Sequence, residues 1–157
     1  MKLQDKNIVI TGAADGIGLA LAKRFLHESP KSISLIDINK SVKDMASELG
    51  AEGYVADVTK ENQFQSILNQ IINKEGSIDL FCSNAGIQQF GTLETSTEDW
   101  QKNWDVNVMS HIHAAKVLIP HMQSRKTGYI LITVSAAGLL NMPSALSYAT
   151  TKHAAMG

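Results

Sequence analysis

The chain has 157 residues, with 14 Lys plus Arg against 15 Asp plus Glu and a formal charge of −1. At roughly 100–200 residues per domain this is one domain, long enough to bury a core without disulfides or metals. Near-neutral charge with no basic run excludes a nucleic-acid groove or anionic-membrane patch, and no stretch reaches the ~20 apolar residues of a membrane span.

The single cysteine, Cys82, excludes an internal disulfide framework and a Cys-based zinc site. The polar opening Met1-Lys2-Leu3-Gln4-Asp5-Lys6 lacks the apolar centre of a signal peptide, so we expect a cytoplasmic location.

In chain order, residues 7–11 (Asn-Ile-Val-Ile-Thr) form a short β-branched run stopped by Gly12, the mark of a strand buried on both faces. Helical spacing of apolar residues follows over 17–27. The alternation then repeats, with strands expected at 32–36, 53–56, 78–82 and 129–134. Helices are expected at 41–49, 61–73 and about 98–123, and a last one opens near Ser147. Thr59 is a candidate N-cap for the third helix, and Thr95 with Glu98 reads as a capping box for the fourth. Pro120 should kink or end that helix. Strands alternating with helices at this rhythm imply right-handed crossovers and a parallel, doubly wound α/β sheet.

The segment Thr11-Gly12-Ala13-Ala14-Asp15-Gly16-Ile17-Gly18 joins the first strand to the first helix. Such a turn lets main-chain N–H groups and a helix N-terminus approach an anionic pyrophosphate. Gly12 suits the tight turn, Gly16 the close approach and Gly18 the packing of helix on strand. The spacing differs from G-x-G-x-x-G and is not a P-loop; an ordinary βα turn without ligand is the bland alternative. Asp37 ends the second strand, where an acid can accept hydrogen bonds from adenosine ribose hydroxyls and repel a 2′-phosphate. Asp15 adds negative charge in the turn itself. Together they favour NAD over NADP.

Tyr148 and Lys152 are i and i+4, neighbours on one helix face. An ammonium about 4 Å from a phenolate, at an effective dielectric of about 20, stabilises it by ~4 kcal/mol. That would ready the tyrosine for proton exchange with an alcohol near neutral pH. Ser135 ends the fifth strand at the ligand-binding edge of such sheets. Asn107 sits in mid-helix, unfavourable by propensity, which invites a local distortion or a specific role. Cys82 reads as core. His27, His111, His113, His121 and His153 show no metal-ligand spacing and read as helix-surface or partly packed residues; no metal is expected. Trp100 and Trp104 read as packing, and Gln88, Gln89 and Phe90 as a loop that could border a substrate pocket.

Taken together, these residues resemble the short-chain dehydrogenase/reductase family. Thr11-Gly12-x-x-x-Gly16-Ile17-Gly18 resembles its cofactor turn, Asp57-Val58 its adenine site, and Asn84-Ala85-Gly86 its Asn-Ala-Gly motif, which supports the central sheet and flanks the cofactor. Asn107, Ser135, Tyr148 and Lys152 match its catalytic tetrad. Val134 and Ser110 depart from the residues common beside that tetrad. The resemblance implies a Rossmann-like sheet of strand order 3-2-1-4-5 and hydride transfer between NAD and a secondary alcohol or ketone. Tyr148 would exchange the proton, and Lys152 would lower its pKa and hold the nicotinamide ribose. Ser135 would bond the substrate oxygen, and Asn107 would distort its helix to anchor a relay water. The family is commonly a homodimer or homotetramer. It also carries further strands and a substrate loop after the active-site helix, so residues 1–157 are expected to be one NAD-binding domain, incomplete at its C-terminal end, with the fifth strand an open, uncovered edge. The alternative is a dinucleotide-binding module without a substrate pocket.

Overall fold

Strand β1 (Asn7–Thr11) is buried at every position, as its β-branched run requires, and it lies at the centre of a five-stranded sheet. The computed structural model describes residues 2–157. All strand pairings are parallel: β2 (Ser32–Asp37), β3 (Glu52–Val55), β4 (Leu80–Ser83) and β5 (Tyr129–Ile132) follow, in the spatial order β3-β2-β1-β4-β5. The chain runs outward from β1 to β3, then returns past β1 to β4. That reversal opens a crevice beyond the carboxyl ends of β1 and β4, where such sheets bind ligands.

Helices cover both faces. Alternate side chains of β1 point opposite ways. Ile8 and Ile10 join Ile33, Leu35 and Cys82 beneath Ala22 of α1 (Gly16–Leu26) and Val42 and Ala46 of α2 (Val42–Glu48). Val9, Ile36 and Phe81 join Phe64, Leu68 and Ile71 of α3 (Glu61–Glu75) and Ala114, Leu118 and Met122 of α5 (Ser110–Arg125). Cys82 is wholly buried in the first cluster, and burial pushes its thiol up to about 12. It is core, as expected.

The expected long helix at 98–123 is three elements. α4 (Thr97–Trp104) passes into a π-helical turn, Asp105–Met109, which passes into α5. The distortion expected at Asn107 is this turn. The early end that Pro120 could have marked does not occur: α5 runs on to Arg125. Pro120 lies on the exposed side, where water can take the carbonyl it leaves unbonded. Both expected caps also shift. Thr59 does not cap α3; its N–H and hydroxyl both donate to Asp57 Oδ1, and Lys60 occupies the N-cap position. The N-cap is Ser96, one residue later than Thr95, and not a full capping box: Ser96 Oγ accepts from the Asp99 N–H and donates to its carboxylate. The last helix, α6, is Leu146–Ala154. β5 is an open edge, with Tyr129 56% and Leu131 45% exposed, as the sequence implied.

Candidate active site

Thr11, the last residue of β1, fixes the floor of the crevice. Its Oγ1 accepts the N–H groups of Asn84 and Ala85, each at 3.0 Å, and donates to the Cys82 carbonyl. The Asn84 Nδ2 donates to the carbonyls of Thr11 (3.0 Å) and Gly12 (3.2 Å), while its Oδ1 accepts from Thr133 Oγ1 (3.0 Å). One amide thus ties the ends of β1, β4 and β5 together. Gly12 has φ +64°, and a Cβ there would lie 2.8 Å from the Ala85 Cα. A Cβ on Gly18 would collide with the Gly12 carbonyl, so that glycine lets α1 pack on β1. Gly16 differs: its φ is +52°, and nothing lies within 4 Å of where a Cβ would be. The first N–H of α1 to find an acceptor is that of Leu19, so the N–H groups before it make no hydrogen bond among the described residues.

At the far end, Asp37 accepts the Ala14 N–H on Oδ2 (3.0 Å) and the Asn39 N–H on Oδ1 (2.9 Å). Its charge is held against the glycine turn. Asp57 uses Oδ1 for Thr59, and its Oδ2 and the neighbouring Val58 N–H make no hydrogen bond among the described residues. An acceptor and a donor therefore stand side by side at the cleft wall.

At the near end, Lys152 is 4% exposed, and burial lowers its pKa. Its Nζ donates to the Thr133 carbonyl (3.1 Å) and lies 5.8 Å from the Tyr148 ring centroid. The ammonium thus lies beside the Tyr148 ring, on the helix face that the i, i+4 spacing gives the two residues. Ser135 Oγ accepts the Ala137 N–H as the cap of a short 3-10 turn, Ala136–Gly138, which leaves its own proton free to donate. Asn107 is wholly buried. Its Oδ1 accepts the Ile87 N–H and its Nδ2 donates to the Ile87 carbonyl, both at 2.9 Å, and to Thr151 Oγ1 at 3.1 Å. Both Nδ2 protons are committed, and Oδ1 keeps one lone pair. Ser110, where the family commonly has glycine, donates to the Val106 carbonyl (2.6 Å) and so satisfies a carbonyl of the π turn. A Cβ on Gly86 would come 3.2 Å from Asn107 Oδ1 and 3.5 Å from Lys152 Nζ.

One cleft of about 750 Å³ joins the two ends. Gly12, Asp15, Ile17, Asp37, Asp57, Val58, Asn84, Ala85, Gly86, Ser135, Tyr148 and Lys152 line it. Of the residues singled out from the sequence, Gly16, Gly18 and Asn107 do not. Gly18 lies under the turn, and Asn107 acts behind Ile87. Gln88 lines the cleft; Gln89 instead accepts from Asn103, and Phe90 is exposed. The volume is within the roughly 300–1,000 Å³ of small-molecule sites. Unbonded N–H groups at a helix N-terminus, a fixed carboxylate and a free donor–acceptor pair fit the phosphates, ribose and base of a dinucleotide.

The family model described as short chain dehydrogenase matches residues 6–157. The chain belongs to that family. It is 37% identical, over 98% of its length, to a CLA biosynthesis dehydrogenase/reductase from Lactiplantibacillus plantarum, and 30% identical to a 3-oxoacyl-acyl-carrier-protein reductase of Thermotoga maritima. A short-chain dehydrogenase/reductase of Burkholderia phymatum, solved with NAD, superposes with a TM-score of 0.94 at 32% identity over 99% of the chain. The chain spans 56%, 66% and 58% of these proteins respectively.

Several residues of this family site escaped the sequence reading. Thr133 supports both Asn84 and Lys152, and Ile87 and Thr151 take up the Asn107 amide. His111, read as surface or partly packed, has Nδ1 2.6 Å from Ser83 Oγ, and burial, then the Lys152 charge, pushes it down to about 4. Their partners lie tens of residues away, so no local pattern marks them.

Proposed function

We propose that this chain carries the cofactor and proton-transfer half of an NAD-dependent oxidoreductase acting on a secondary alcohol or the corresponding ketone. The observation that carries the reading is the single cleft that holds the glycine turn and Asp37 at one end and Ser135, Tyr148 and Lys152 at the other. When bound, the dinucleotide supplies or accepts the hydride.

The chain's own residues do the rest. The glycine turn and the N-terminus of α1 receive the pyrophosphate, and Asp37 accepts from the adenosine ribose. Asp57 and Val58 take the adenine edge. Ser135 donates its free hydroxyl proton to the substrate oxygen, and Tyr148 exchanges a proton with the same oxygen. Lys152, anchored by the Thr133 carbonyl, keeps a cation beside the Tyr148 ring and the nicotinamide ribose. Asn107 holds Ile87 against the π turn, beside which a relay water would bind. Asp37 and Asp15 set negative charge against a 2′-phosphate, which favours NAD over NADP. The unbonded N–H groups of α1 and the Asp57–Val58 pair bear on the cofactor alone, and so also support a second reading, a dinucleotide-binding module without turnover.

Fluorescence titration with NADH and NADPH, followed by turnover on a panel of secondary alcohols and ketones, separates these readings. We expect NADH to bind more tightly, and Tyr148→Phe to abolish turnover while leaving NADH binding nearly intact. Tighter NADPH binding would refute the cofactor assignment. Binding without turnover in the unsubstituted protein would leave only the module.

A further inference from the structure

We propose that His113 is a positioning residue for the adenine end of the cleft, holding the Asp57–Val58 segment from behind; this rests on the dinucleotide reading above. His113 lies in α5 and is 6% exposed. Its Nδ1 is 3.2 Å from the Val58 carbonyl oxygen, a contact that spans 55 residues of sequence. A carbonyl only accepts, so Nδ1 carries the proton in this bond. The other ring nitrogen, Nε2, faces Glu61 Oε2 of α3 at 3.8 Å. Glu61 in turn accepts from Lys116 Nζ (2.8 Å) and Gln65 Nε2 (3.1 Å), and Gln65 also donates to the His113 carbonyl (3.2 Å). α3 and α5 therefore clasp the segment through one imidazole.

A buried imidazole costs desolvation that a leucine would not, so packing alone does not account for it. What it adds is direction. Peptide planes are rigid, so fixing the Val58 carbonyl also fixes the Thr59 N–H of the same peptide, which with the Thr59 hydroxyl holds the Asp57 carboxylate. The Val58 N–H, in the preceding peptide, lies between these two anchored points, and it and Asp57 Oδ2 are the unbonded donor and acceptor of two cleft-lining residues. Without His113 the carbonyl would turn to water, and the ligand would have to order the segment as it binds. The same helix begins at the π turn in which Asn107 grips Ile87. The π turn and the first turn of α5 thus support the two ends of the cleft.

The test is to titrate AMP and NMN separately into the wild type, His113→Leu and His113→Gln. We expect His113→Leu to weaken AMP about three- to tenfold, the loss of one hydrogen bond and its preorganisation, and to leave NMN unchanged. His113→Gln, which keeps a donor, should restore most of the AMP affinity. Equal weakening of both ligands, unchanged AMP binding, or no rescue by Gln would overturn the proposal. A wild type that binds neither ligand would overturn the functional reading along with it. Should His113→Leu not fold, Gln65→Ala loosens the same clasp: selective weakening of AMP supports the role, and unchanged AMP binding overturns it.

Discussion

Gly12 and Gly16 sit in one turn at similar positive φ, +64° and +52°, yet alanine should behave differently at the two sites. At either position a side chain in the left-handed region costs about 1–2 kcal/mol. At Gly12 a Cβ would also lie 2.8 Å from the Ala85 Cα and 3.1 Å from its nitrogen. Those atoms cannot retreat, because Thr11 Oγ1 and the Asn84 amide bind the main chain on both sides. Forced overpacking adds about 1–3 kcal/mol, for a total of about 2–5 kcal/mol. For a chain of this size that corresponds to a fall in Tm of about 4–20 °C for Gly12→Ala, against about 2–8 °C for Gly16→Ala. Thermal melts followed by circular dichroism measure both. Ligand binding should invert the order of interest: the Gly16→Ala methyl enters the open space before the N-terminus of α1, so it should lose NADH affinity out of proportion to its small loss of stability. Equal destabilisation by the two substitutions, or wild-type NADH affinity in Gly16→Ala, would refute the geometry of the turn.

Two further outcomes follow from buried groups. His111 is held down to about 4 in the folded chain, below the ~6.5 of an unfolded histidine, so between these values the unfolded state binds more protons. Stability therefore falls as pH drops through that window, by at most about 3 kcal/mol from this residue. Urea midpoints at the two ends of the window should show a smaller acid loss in His111→Gln than in the wild type; identical losses would exclude His111 as the source. Asn107→Ala leaves the Ile87 N–H and carbonyl without their partner, and should cost about 2–4 kcal/mol in urea unfolding. A loss below about 1 kcal/mol would mean water replaces the amide readily.

The strands and the glycine turn were legible because their signals are local and strong, whereas the strand order 3-2-1-4-5 followed from the family resemblance. β1 is a run of β-branched residues buried at every position, and the glycine turn follows it directly. The π turn was half legible: Asn107 in mid-helix signalled a distortion, but apolar spacing cannot place the change of hydrogen-bond register at Asp105–Met109. The cap of α4 slipped by one because Thr95/Glu98 and Ser96/Asp99 carry the same pattern in overlapping positions, and only the fold selects the second. Tyr148 and Lys152 show a deeper limit. Helical spacing makes them neighbours, but the direction of Nζ is set by the Thr133 carbonyl on β5's continuation, a partner 19 residues away. His113 and Val58, 55 residues apart, lie beyond any local pattern.

The polar groups of the cleft share one design. Asp37 gives each carboxylate oxygen one main-chain N–H, Asp57 commits one oxygen to Thr59, and Ser135 accepts from Ala137 while keeping its proton. Each side chain is thus anchored by part of its hydrogen-bonding capacity, with the remainder turned to the cleft. Groups fixed in this way need little reorganisation when charge arrives or develops, and that is the condition under which electrostatic stabilisation acts most strongly. A loose polar surface would have satisfied those remaining donors and acceptors internally or spread them without order. Here the unspent capacity lies on residues of one cleft, from Asp57 to Ser135, and a dinucleotide would draw on both ends of it.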